Sequence, residues 1–232
     1  MADEPDAAAH PDSVAERESA EVAAKERVLH VDHVLELIAT IILGAATIAT
    51  AWSGYQAALW NGVQATDYVQ ASGSRVESTR ASTLAGQQQL YDSQVFSQWL
   101  NAHFADNEQL AGIYERRFRD EFRVAFQAWL ATDPFTNANA PPGPLFMPQY
   151  VQAKAQEADQ LEAKATATLE AGQAANATSD RYVQFTVIFA SALFLAATSD
   201  RFRWRSTRVA VLAMAIVALA FGLINLAQLP IQ

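Results

Sequence analysis

Cysteine is absent from the 232 residues, which removes disulfides, thiol nucleophiles and Cys-ligated zinc or iron–sulfur sites from consideration. Histidine is scarce at four, His10, His30, His33 and His103. No strand–Gly-x-Ser-x-Gly elbow or phosphate-binding glycine loop occurs. Basic charge is also in deficit, with 16 Lys and Arg against 25 Asp and Glu and a net charge of −9. No polybasic surface of the kind that grips nucleic acid is available, so that partner class is excluded. Together these absences argue against an enzyme, and no cofactor is expected.

What is present is strongly segregated, although the mean hydropathy of +0.00 conceals it. Residues 1–36 carry ten acidic and three basic side chains, residues 53–181 fourteen and nine, and residues 200–208 one and four. Three long apolar runs separate these charged parts. The first, Val34–Trp52, spans about 28 Å as a helix at ~1.5 Å per residue, which matches a bilayer core. The second is Tyr182–Thr198 and the third Val209–Leu229. About thirty mostly acidic residues precede the first run, so it reads as a retained anchor and not as a cleavable signal.

The expected fold class is therefore all-α: an integral membrane protein with three transmembrane helices and an extracytoplasmic helical bundle between the first and second. Orientation follows from Arg201, Arg203, Arg205 and Arg208, because Lys and Arg in short loops resist translocation. Residues 199–208 are expected in the cytoplasm, the acidic tail 1–33 on the same side, and residues 53–181 and the end of the third span outside. Arg181 at the outer end of span two dissents. Trp52, Tyr55 and Trp60 at the exit of span one, Tyr182 and Trp204 suit the headgroup zone.

Between Ser53 and Arg181 an Ala-, Gln-, Glu- and Arg-rich composition predicts helix. The first arm is expected to continue out of span one with Gly86 as hinge. Asp106 reads as the N-cap of a helix with Gln109 as capping-box partner. That helix bears a stripe of Tyr114, Phe118, Phe122 and Phe126, either a buried bundle face or a lipid- or peptide-binding strip. Its charged face offers the pairs Glu115–Arg119, Arg116–Asp120 and Arg117–Glu121. Residues 132–147 are Pro-rich and non-helical, with Phe135, Leu145, Phe146 and Met147 folding back on the bundle. Pro148 suits the first turn of the next helix, which runs on into span two as a second, antiparallel arm.

Ala51–Trp52–Ser53–Gly54–Tyr55–Gln56, Leu59–Trp60–Asn61–Gly62, Arg75-x-Glu77-x-x-Arg80, the Trp129–Pro134 segment, the Pro-Pro-Gly-Pro crossover and the paired C-terminal spans are the chain's most distinctive marks. On these marks the chain resembles an uncharacterised family of bacterial three-span membrane proteins over roughly residues 35–228. The resemblance implies this architecture and a bacterial inner-membrane location, and brings no activity, cofactor or catalytic residue with it.

His30, His33 and Glu36 lie at i, i+3 and i+6, a spacing that offers a metal two or three ligands. They read instead as juxtamembrane polar residues, and no metal is expected. Small residues on span one (Thr40, Gly44, Ala45, Ala49, Thr50) and span three (Ala218, Gly222) favour close helix contact, with Asn225 placed to hydrogen-bond across helices. The tail is expected to be disordered near Met1 and a short amphipathic helix from Ser13 to Val31. The functional expectation is a non-enzymatic scaffold or interaction protein acting through its extracytoplasmic helices, with the lipid bilayer and itself or another membrane protein as partners. The alternative is a subunit of an oligomeric channel or transporter, with Asn225 and Gln184 lining the path. A third is a lipid sensor using the aromatic stripe.

Overall fold

A computed structural model describes the backbone from Pro11 to Gln232 and side-chain surroundings from Asp32 onward. The expected disorder near Met1 and the side chain of His30 lie outside the described residues. All regular structure there is helical: α1 (Pro11–Phe104), α2 (Glu108–Glu115), α3 (Asp120–Leu130), α4 (Ala153–Thr198) and α5 (Arg205–Leu226), with 3-10 turns at Pro144–Phe146 and Ser199–Arg201. Three of them, within α1, α4 and α5, are long and apolar enough to cross a membrane.

The 94 residues of α1 run unbroken, and the reason is local. No proline occurs between Pro11 and Pro134, and the glycines are isolated among good helix formers. Two expectations are corrected here. Gly86 is an ordinary helical residue and no hinge exists. The segment expected as a separate helix over Ser13–Val31 is part of α1.

The chain divides into two compact units, one of residues 1–62 and 175–232, the other of residues 63–174. In the first, Leu35, Ala39, Ile42, Ala46 and Ala49 of α1 pack with Phe189, Ala192 and Ala196 of α4 and Leu212, Ala215 and Leu219 of α5. Buried α1 positions alternate steps of four and three, continuing to Ser53 and Gln56. Of the small face expected on span one, Ala49 is in that core and Ala45 packs against it, whereas a Cβ at Gly44 would meet nothing within 4 Å. Gly222 of α5 fulfils its expectation: it lies directly against the fully buried Phe189 ring.

In the second unit α1 and α4 run antiparallel, α1 contributing Ala71, Ser74, Ser78, Ala81 and Ala85 to the interior, α4 Ala158 and Ala165. Small side chains bring the backbones close enough for Ser78 Oγ to donate to the Ala158 carbonyl at 2.8 Å. Arg75 faces Glu162 at 3.4 Å. Gly172 abuts Tyr68, whose ring carbon would lie 2.7 Å from any added Cβ.

The end of α1 differs from expectation. Asp106 is not an N-cap; it takes a left-handed conformation (φ 53°). Its N–H donates to the His103 carbonyl (3.1 Å), and the Asn107 N–H to that of Ala102 (3.0 Å). This is a Schellman C-terminus with Asp in the place usually held by glycine. Asn107 then caps α2 through Oδ1, which accepts from the Leu110 N–H at 3.0 Å.

The single helix expected to carry the aromatic stripe is two helices, parted at Arg116–Arg119, where Arg119 is extended (ψ 152°). Carbonyls freed by the break find other donors: Tyr91 Oη donates to Arg117 O (3.3 Å) and the Arg123 guanidinium to Phe118 O (2.9 Å). The anticipated i,i+4 pairs give way to Arg119–Asp92, Arg119–Glu121 and Arg123–Asp120. Pro148 lies outside α4, whose first turn is met by Glu121 Oε1 accepting from the Ala153 N–H at 3.3 Å.

Candidate functional site

Three side-chain assemblies stand out. The first grows from the exit motif of span one. Ser53, Gln56 and Ala57 lie on the buried face of α1 while Trp52 and Tyr55 point outward, their rings 6.1 Å apart. Trp60 follows one turn after Gln56, and across from them α4 presents Ser179 and Tyr182, both buried. These groups clasp the segment after α5. Trp60 Nε1 and Tyr182 Oη both donate to the Pro230 carbonyl, at 3.0 and 3.1 Å. The Gln56 amide accepts from the Gln232 N–H at 3.1 Å and donates to the Gln232 carbonyl at 3.3 Å. Ser179 Oγ donates to Ala57 O at 2.9 Å, tying α4 to α1. The assembly reads peptide backbone. Gln56 and Ser179 received no role from the sequence; the period of the buried positions, at which polar residues interrupt alanines, was the signal for them.

Asn225, the expected inter-helix donor, instead donates to Phe221 O of its own helix at 2.8 Å. That bond is the local satisfaction open to a short polar side chain within an apolar helix. Gln184 is exposed on α4.

The second assembly is the arginine connector. Arg205 and Arg208 belong to the first turn of α5 and not to the loop, and they pair with Asp32 (3.6 Å) and Asp200. Phe202, Arg203, Trp204 and Thr207 line a recess of about 310 Å³.

The third is the interior of the 63–174 unit. Phe96, Trp99, Phe118, Phe122, Phe126 and Trp129 form one aromatic cluster, with edge-to-face contacts such as Trp99–Phe126 at 4.7 Å and Phe118–Phe126 at 4.8 Å. Phe118, Phe122 and Phe126 of the expected stripe are buried there and Tyr114 packs beside them. The crossover is bound to it by Trp129 Nε1 donating to Pro141 O at 2.8 Å. Leu145 and Met147 turn inward as expected, whereas Phe146 faces outward.

Beside this cluster Asp92 is buried on α1. Tyr150 Oη donates to its Oδ2 at 2.9 Å, and Arg119 Nε faces Oδ1 at 3.4 Å, too poorly aligned for a hydrogen bond. Gln152 Nε2 in turn donates to Tyr150 Oη at 3.0 Å. Burial pushes the Asp92 carboxyl above the ordinary carboxylate range, against the opposing pull of Tyr150 and Arg119. Burial and the neighbouring carboxylate also push the Tyr150 phenol up.

No family model, curated protein or solved structure matches the chain. The fold defines the class: an all-helical protein with three helices able to span a membrane, consistent with a multi-pass membrane protein.

Proposed function

We propose that this protein is a non-enzymatic scaffold of the bacterial inner membrane, acting through residues 53–181 outside the cytoplasm and through contacts with a second copy or another membrane protein. The location and orientation rest on the arginine connector, on Lys25 and Arg27 before span one, and on the resemblance carried by the exit motif and the Pro-Pro-Gly-Pro crossover.

One observation carries the interaction reading. On the exposed side of α1, Ala65, Val69, Ser72, Val76, Thr79, Thr83, Gly86 and Leu90 follow one another at steps of three and four. All are small or apolar. Val69 and Leu90, 73% and 70% exposed, are among its most open large residues. A 3.5-residue period of this kind is the seam of a coiled coil, and here it repeats the spacing by which the opposite side of α1 buries its own alanines and serines. Thr79 and Thr83 turn their hydroxyls back to their own helix at 2.9 and 2.8 Å, so the seam presents little unsatisfied polarity.

A photo-crosslinking residue placed at Val69 or Val76 in the membrane-inserted full chain should give a discrete adduct of higher mass, and one at Glu77 or Arg80 should not. Uniform or absent crosslinking at all four positions would overturn the reading.

A further inference from the structure

We propose that the connector between α4 and α5 seats an anionic lipid headgroup, through its phosphate, in the recess lined by Phe202, Arg203, Trp204 and Thr207. The site rests on the membrane reading but does not depend on which side the connector faces.

Charge separates the four arginines into two pairs. Arg205 and Arg208 are met within the protein by Asp32 and Asp200. Among the described residues, Arg201 and Arg203 have no carboxylate within ion-pair distance, and both are exposed. Two positive charges are thus left at the end of two membrane-length helices, and one of them lines the recess. A guanidinium meets phosphate oxygens with paired N–H donors, and the Thr207 hydroxyl adds a donor to the same wall.

The apolar walls select the source of that phosphate. Trp204 is 73% and Phe202 43% exposed. Two large rings flanking a cation are poorly placed in water and well placed at the boundary between headgroups and acyl chains. A free phosphate uses only Arg203 and Thr207; a lipid also covers the rings. The recess volume, about 310 Å³, exceeds what a bare phosphate needs and leaves room for a glycerol backbone. Basic recesses of this composition at helix ends are the expected seats of anionic lipids.

The test uses the full chain reconstituted in vesicles of equal parts phosphatidylglycerol and phosphatidylcholine, then released for native mass spectrometry. The unaltered protein should retain phosphatidylglycerol in preference. Arg203→Gln should lower that preference about tenfold, the scale of one charge-assisted pair, while Arg75→Gln leaves it unchanged. Should Arg203→Gln fail to insert, Trp204→Ala and Thr207→Val probe the same walls. Equal retention of the two lipids by the unaltered chain, or a preference that survives all three substitutions, would sink the site. Displacement of the retained lipid by millimolar inorganic phosphate would overturn the lipid assignment in favour of a free anion. Labelling of Ser206→Cys from outside, with lipid retention still sensitive to Arg203, would remove the proposed orientation and leave the site standing.

Discussion

Gly222 and Gly172 do the same job in different surroundings, and the difference sets what each substitution costs. A Cβ at Gly222 would overlap the Phe189 ring, which is fully buried and has nowhere to go. At Gly172 the nearest obstacle is the ring of Tyr68, which is only partly buried, with the Asp67 Cβ at 3.1 Å behind it. Gly222→Ala should therefore lower stability by about 1–3 kcal/mol and Gly172→Ala by less, read from thermal unfolding in detergent. Gly44, which has nothing within 4 Å of its missing Cβ, is the control: Gly44→Ala should raise stability by up to about 1 kcal/mol. Asp92 sets a pH dependence. Its proton is held more tightly folded than unfolded, so the native state binds more protons just above the ordinary carboxylate range. Stability should then fall as pH rises through that window. Asp92→Asn keeps an acceptor for Tyr150 and removes the titration, so the variant's stability should change less with pH there. A fall of equal size in both proteins would assign it to other groups.

At the scale of elements, the long helices were legible because their cause is local: no proline, isolated glycines and unbroken runs of helix formers. Gly86 is an ordinary helical residue with open space at its missing Cβ, so Gly86→Ala should be neutral or stabilising by up to about 1 kcal/mol, read from thermal unfolding in detergent; a clear loss of stability would point to a bend there. The small helices were harder to read because tertiary contacts outweigh their local signals. Spacing alone made Tyr114–Phe126 one helix. The pairing of Arg119 with Asp92, together with donors from Tyr91 and Arg123 to the freed carbonyls, makes the break sustainable. The same contest moved the cap from Asp106 to Asn107, since the left-handed turn ending α1 takes Asp106 first. The clasp on Pro230 makes a further expectation. Trp60→Phe with Tyr182→Phe removes both donors to that carbonyl and leaves an aromatic ring at each position. A spin label at Ile231→Cys should then become more mobile than in the unsubstituted background; an unchanged spectrum would show that Gln56 alone holds the segment.

For the whole molecule, the absence of cysteine is an experimental advantage, because any introduced thiol is the single reactive site. Under the proposed orientation Ala138→Cys should react with an impermeant maleimide in intact spheroplasts, and Ser206→Cys only after permeabilisation; the reverse pattern would invert the orientation. The all-helical class and three apolar helices followed from composition and length alone, since a helix's hydrogen bonds and a span's hydropathy are properties of contiguous residues. So was the character of the Pro-rich crossover. Partners distant in sequence were decided by the tertiary structure: Gln56 meeting Gln232, Asp92 meeting Tyr150, Phe189 closing on Gly222, and two of four arginines neutralised by Asp32 and Asp200. The physical reason is that hydropathy and helix propensity sum along the chain, whereas a hydrogen bond or ring contact depends on which distant residue is brought within a few ångströms.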